Sequence, residues 1–262
     1  MNLGIEGRVA IVCGASKGMG FASAKGLALH GSRVLMVGRD ASALEEAAKI
    51  IKAQGGVVTA FPGDVRDPDL AQRTVDRCKE LWGPVDILLN NAGGPPMGSF
   101  LEHDAAAWEV AIQTNLLSVV RFCKAVVPDM KAKKWGRIIS ITSTVAKEPS
   151  PAMVLSATTR AGVSAFSKTL AIELAQFNIS LNVICPGGVL TDRLVNLLQA
   201  RAKREKRDYQ ELLQESQLSI PAKRFAEPEE IADVILFLAS ERGGYVNGVS
   251  LSVDGALTKA YT

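Results

Sequence analysis

Short apolar runs alternate with stretches of helical spacing along the whole chain. The strand-like runs are Val9–Cys13, Arg33–Val37, Val57–Phe61, Ile87–Asn90, Arg137–Ile141, Ser180–Ile184 and Val249–Val253. Helix-period stretches lie between them, at Phe21–His30, Ser42–Gln54, Pro68–Trp82, Trp108–Met130, Val154–Phe177 and Pro228–Ala239. This alternation predicts an α/β fold: one doubly wound parallel sheet of about seven strands, with helices on both faces. It spans residues 1–262 as a single domain, without linker or repeat. In such sheets ligands sit beyond the C-terminal ends of the strands. One segment departs from the pattern. Residues 191–223 are mostly polar and helical, and hold the charged run from Arg201 to Arg207. The segment follows a strand end, so its position predicts a lid over the substrate rather than only a solvated helix face.

The first strand runs directly into Gly14-Ala15-Ser16-Lys17-Gly18-Met19-Gly20, and a helical stretch follows. A strand that turns through glycines into a helix presents free backbone N–H groups and the positive end of the helix dipole, which together bind phosphate. The spacing is Gly-x-x-x-Gly-x-Gly and lacks the Gly-Lys-Ser/Thr ending of a P-loop, which argues against an NTPase. The turn predicts a nucleotide site.

Composition narrows the classes. The chain has 262 residues, 47% of them hydrophobic and 22% charged, enough for one large α/β domain. A formal charge of +3 is too mild to imply nucleic acid binding. No metal site is expected, because Cys13, Cys78, Cys123 and Cys185 are far apart in sequence. They read as reduced thiols, as in a cytoplasmic protein. Met1–Glu6 has neither a basic start nor an apolar core, so no secretion signal is expected, and no apolar run is expected to span a membrane.

Later motifs supply the chemistry. Leu89-Asn90-Asn91-Ala92-Gly93 ends the fourth strand, and Asn115 lies in the next long helix. Ser143 follows the fifth strand, Asn182 to Thr191 ends the sixth, and Val253-Asp254-Gly255 closes the sheet. In this order and spacing the chain resembles the short-chain dehydrogenase/reductases, in particular the 3-oxoacyl-acyl-carrier-protein reductases. The resemblance implies a Rossmann-type fold and reversible hydride transfer between a nicotinamide and a carbonyl or alcohol. It implies cofactor contacts from Gly14, Ser16, Lys17, Gly18, Met19 and Gly20. It adds Asp64 and Val65, Asn91, Ala92 and Gly93, and finally Pro186, Gly187, Val189 and Thr191. It also implies a homotetramer that pairs the helices Trp108–Met130 and Val154–Phe177 across two-fold axes, with Val119, Val120, Phe122, Val126, Phe166 and Leu170 as candidate interface residues.

Family members carry a catalytic Asn, Ser, Tyr and Lys, the last two as Tyr-x-x-x-Lys. Asn115 and Ser143 match. Alignment on Ala161-Gly162-Val163 puts Ser156 at the Tyr position and Arg160 at the Lys position. The only tyrosines are Tyr209, Tyr245 and Tyr261. A serine is a far weaker acid than a phenol and reaches less far. Arg160 sits one helical turn from Ser156 and can still donate to ribose hydroxyls, but it cannot pass on a proton. Loss of a positioned general acid costs typically about 10²–10⁴-fold in rate. Replacement donors are a water held by Ser143, Ser156 and Asn115, or Tyr209 on the lid, which otherwise reads as a surface residue.

Arg39 stands next to the place where the family's NAD enzymes carry an acid, and Lys17 adds a second cation. Two cations suit a 2′-phosphate, so NADP(H) is favoured over NAD(H); Asp40 is the best argument for NAD. The 94–100 loop, Val145, Met153 and Leu190 suggest an apolar pocket and a hydrophobic ketone or an acyl thioester. Lys134 fits an acidic carrier, whereas Phe177 stands where a second cation is common. His103 reads as a loop residue. Two functions follow: an NADP(H)-dependent reductase with an altered proton donor, or a nucleotide-binding homologue without turnover.

Overall fold

The computed structural model describes residues 2–260. Seven parallel strands form one sheet in the order β3-β2-β1-β4-β5-β6-β7. They are β1 Val9–Cys13, β2 Arg33–Gly38, β3 Val57–Pro62, β4 Ile87–Asn90, β5 Gly136–Ile141, β6 Ile179–Pro186 and β7 Ser250–Val253. The helices are α1 Gly18–Leu29, α2 Ala41–Ala53, α3 Leu70–Leu81, α4 Ala105–Ile112, α5 Ser118–Lys133, α6 Val154–Leu174, α7 Asp192–Glu205, α8 Tyr209–Ser219 and α9 Pro228–Ala239.

Every residue of β1, β4, β5 and β6 is buried, as expected for strands covered on both faces. Alternation along β1 sorts the core into two halves. Ala10 and Val12 face one hydrophobic cluster, while Val9, Ile11 and Cys13 face the other. β1 pairs with both β2 and β4. The winding direction reverses there, which opens a crevice beyond Cys13 and Asn90.

The helix expected over Trp108–Met130 is interrupted. A π-turn, Gln113–Leu117, joins α4 to α5. The sequence from Ala105 to Lys133 is apolar and long enough to cross a membrane by length and composition. Here Phe122, Val126 and Met130 are spent on the sheet core. Two of the expected interface residues besides Phe122, namely Val119 and Val126, are likewise core, and Phe166 and Leu170 pack partly against the same cluster. Among the described residues, the exposed large apolar side chains on these helices are Val110, Ile112 and Ile172. Helical periodicity does not separate apolar residues that face the core from those at the surface of the same helix.

Residues 191–223 fold into α7 and α8, with Leu198, Ala202 and Leu212 buried. The charge run is largely spent within the segment: Arg201 pairs with Glu205 at 3.0 Å and Arg207 with Glu215 at 2.7 Å. Lys134 caps the C-terminus of α5 and Phe177 ends the turn before β6. Both lie at the N-terminal edge of the sheet, opposite the crevice within the chain, so neither contributes to its rim.

Candidate active site

The glycine turn after β1 is shaped by close contact. Gly14 and Gly18 have positive φ, +60° and +56°. A Cβ on Gly20 would lie 2.1 Å from the Gly14 carbonyl oxygen, so no side chain fits there. Lys17 is the N-cap of α1 and provides no side-chain cap, which leaves the first-turn N–H groups for a ligand. Ser16 and Met19 are half-buried in the same turn. The turn has the geometry to hold a phosphate group at the N-terminus of α1.

The rest of the crevice is tied to this turn. Asn91 Nδ2 donates to the Gly14 carbonyl at 3.3 Å. Two residues on, past Ala92, the Gly93 carbonyl accepts from Asn115 Nδ2 at 3.1 Å. Asn115 is buried and belongs to the π-turn. A π-turn adds one residue per turn and re-aims the side chains around it, a device frequent at functional sites. On the far wall, Pro186 ends β6, and a Cβ on Gly187 would meet Asp254 Cβ at 2.8 Å. Val189 bridges to Ala226. Thr191 caps α7, and its Cγ2 lies 3.2 Å from the Cβ position of Gly18. The start of α7 therefore crosses the phosphate turn.

On the adenosine side, Asp64 pairs with Arg66 at 2.6 Å. The Arg66 hydrogen bonds hold its carboxyl below the usual range, and the Arg39 charge adds to this. Val65 is half-buried against the core. Arg39 is exposed and has no acidic ion-pair partner among the described residues. Asp40 Oδ1 accepts from Ala43 N at 3.0 Å as the cap of α2. Lys17 points to the other wall and pairs with Asp192 at 3.1 Å. Both side chains of that pair are about 70% exposed, so it holds only weakly.

Ser143 follows β5, half-buried, and its Oγ accepts from Val145 N at 3.4 Å. Ser156 and Arg160 are buried on α6. Arg160 Nε donates to Ser156 Oγ at 3.2 Å and Nη1 to the Ile141 carbonyl at 3.1 Å. Burial, and secondarily the nearby Arg193 charge, push the Arg160 guanidinium down to about 10, still a cation at neutral pH. A cavity of about 20 Å³, room for one water, is lined by Asn90, Asn91, Asn115, Ile141 and Arg160 among others.

Several site features were missed by sequence reading. Asn90 lines this cavity and donates to Ser140 at 3.3 Å. Arg193, within the expected lid, donates to the Gly94 carbonyl at 2.9 Å and the Pro95 carbonyl at 3.3 Å. The wall expected to be apolar thus carries a guanidinium. The 94–100 loop does border the cleft entrance, since Gly98 bridges to Met153. His103 follows it with Nε2 buried and unpartnered. Tyr209 begins α8, half-buried, and Tyr261 lies outside the described residues. All four cysteines are free and buried, and burial pushes the Cys78 and Cys123 thiols up to about 12. Among the described residues no group of three His, Cys, Asp or Glu could hold a metal.

Comparison with known proteins settles the family. The short chain dehydrogenase family matches residues 8–202. The chain belongs to this family. It is 33% identical to 2,3-dihydro-2,3-dihydroxybenzoate dehydrogenase of Bacillus subtilis, over 97% of each chain. It is also 33% identical to the 3-oxoacyl-[acyl-carrier-protein] reductase of Escherichia coli, over 97% of this chain and 99% of that one. Among solved structures, L-sorbose reductase from Gluconobacter frateurii, complexed with NADPH and L-sorbose, superposes with a TM-score of 0.94 at 35% identity, covering 99% and 100% of the two chains. As a family member the chain is an oxidoreductase, and several similar structures are reductases solved with NADPH.

Proposed function

We propose that the protein is an NADP(H)-dependent oxidoreductase of a carbonyl or alcohol substrate, with an atypical proton donor. The observation that carries this reading is the chain of contacts from the glycine turn to Asn115: Gly14 to Asn91, then Gly93 to Asn115. It joins a phosphate cradle to a buried polar cavity. A protein that only bound nucleotide would need the first and not the second.

NADP(H), when bound, supplies or accepts the hydride. The first turn of α1 would hold the diphosphate, and Arg160 would face the nicotinamide ribose. Arg39 supports a 2′-phosphate, because it is exposed with no acidic ion-pair partner among the described residues, while Asp40 is engaged as a helix cap and Asp64 with Arg66. Ser143 would hold the substrate oxygen. In reduction that oxygen also needs a proton. Ser156 is a poor source, since an aliphatic hydroxyl is a far weaker acid than a phenol, although its oxygen accepts from the Arg160 Nε–H. The cavity beside Asn115 and Arg160 is sized for one water, which these groups would position. The 191–223 segment would act as the lid, and a homotetramer remains the proposed assembly.

A second reading has one observation in its favour. Ser156 and Arg160 are bonded to each other and buried, an arrangement that also suits a nucleotide-binding homologue without turnover. Purified protein assayed for NADPH oxidation against ketones, oxo acids and 3-oxoacyl thioesters decides between them. Substrate-dependent oxidation supports the reductase. NADPH binding without oxidation of any substrate supports the second reading.

A further inference from the structure

Two arginines converge at the cleft. The position of a Cβ on Gly94 lies 2.5 Å from Arg193 Nη2 and 3.3 Å from Arg160 Nη2. The two guanidiniums arrive from different elements, Arg160 from the buried face of α6 and Arg193 from the first turn of α7. Neither has a carboxylate within ion-pair distance among the described residues. Asp192, the acid next to Arg193 in sequence, is turned to Lys17 instead. The partners of both are neutral: Ser156 Oγ and the carbonyls of Ile141, Gly94 and Pro95. Nη2 of Arg160 makes no hydrogen bond among the described residues.

Two like charges this close repel, and the repulsion is strongest where water is scarce. Carbonyl dipoles offset it in part. A carboxylate between the two guanidiniums relieves more of it, since its two oxygens can accept from N–H groups of both arginines, the unbonded Arg160 Nη2 among them. The site lies next to Asn115, whose Nδ2 donates to the Gly93 carbonyl beside Gly94, and where the start of α7 crosses the glycine turn.

We propose that Arg160 and Arg193 together seat a carboxylate of the substrate, so that the molecule turned over is a carboxylate-bearing carbonyl or alcohol rather than a neutral ketone or thioester. This rests on the reductase reading above and narrows it. Reduction then converts an oxo acid to a hydroxy acid: the carbonyl carbon takes the hydride, its oxygen takes a proton, and NADPH becomes NADP⁺. The carboxylate stays ionised against the arginines throughout. Its attraction is spent on orientation, which places the carbonyl for Ser143.

The test uses the whole protein with NADPH and two matched series: short and aromatic 2- and 3-oxo acids, and their methyl esters. The acids are expected to exceed their esters in kcat/KM by on the order of 10- to 100-fold, the worth of charged hydrogen bonds. Arg193→Met should remove most of that preference, chiefly through a raised KM for the acids, so that acids and esters converge in kcat/KM. Arg193→Lys should keep part of it. Equal rates for acids and esters would overturn the proposal. So would Arg193→Met slowing both series alike, which would make Arg193 a lid latch. Weaker NADPH binding in Arg193→Met with the acid preference intact would assign the arginines to the cofactor's phosphates. Calorimetry of benzoate and 2-oxobutyrate binding to the NADP⁺-loaded protein separates this proposal from the reductase reading. Carboxylate binding that Arg193→Met abolishes, in a protein that oxidises no NADPH, upholds the seat and refutes turnover. No carboxylate binding by the unaltered protein refutes the seat whatever the turnover.

Discussion

Arg160 donates through Nε to the hydroxyl of Ser156, 3.2 Å away and one turn back on the same buried helix face. These are the residues that the family resemblance sets at the Lys and Tyr positions. The contact leaves a hydroxyl that accepts from a cation, next to a cation that holds its own proton. Neither is a proton donor in the way a phenol paired with an ammonium would be.

That relationship predicts the effect of restoring the usual pair. Ser156→Tyr with Arg160→Lys should raise the rate on a generic ketone by about tenfold or more, within the range expected of a positioned general acid. The rate should also gain a pH dependence from the new phenol. Ser156→Tyr alone should help less, because Arg160 cannot relay a proton. Steady-state rates that are no better in the double variant would remove Ser156 from the reacting centre.

Ser143→Ala should lower turnover by roughly 10²–10³-fold if Ser143 holds the substrate oxygen. Its hydroxyl has only a long contact to Val145 N, so its loss should cost little stability. An unchanged rate, with an unchanged melting temperature as the control, would mean that the oxygen is held elsewhere.

In the unaltered protein, kcat/KM for reduction should be flat between about pH 6 and 9. Arg160 is held down by burial only to about 10. It is therefore mostly a cation throughout this window, and its charge falls away as pH rises through about 10. The serine hydroxyls do not titrate in this window. A distinct limb inside it would place the proton on another group.

Arg39→Asp should weaken NADPH binding by about tenfold or more and narrow its advantage over NADH, since like charges in contact are costly. Lys17→Ala should do less, because Lys17 must first leave Asp192, a weak surface pair. Titration calorimetry with both cofactors measures this; equal affinities in the unaltered protein would sink the NADP(H) assignment.

Ile172 is 72% exposed on α6, with Val110 and Ile112 exposed on α4. If these residues pair subunits, Ile172→Asp should yield a smaller species by light scattering, while the parent chain scatters as a tetramer. A parent monomer at micromolar concentration would dispose of the assembly.

The amino-acid pattern alone determined the sheet and the glycine turn, while Asn115 and Ser143 were singled out by the family resemblance. Strands buried on both faces read as continuous apolar runs, and β1, β4 and α9 begin and end where the pattern put them. Gly14, Gly18 and Gly20 were legible because a backbone conformation or a close contact allows no other residue. The π-turn was not legible. It changes helix pitch by one residue without changing composition, so Gln113–Leu117 read as more of one helix. Nor could spacing tell which apolar residues of α5 face the core, since Phe122 and Val126 are settled by what lies opposite. Arg193 was one charge in a polar segment. Only the fold brings it to Gly94, nearly a hundred residues earlier in the chain, and sets it beside Arg160. Charges that meet across such separations carry no periodicity, because their encounter is decided by how α7 crosses the crevice and not by the residues around either one.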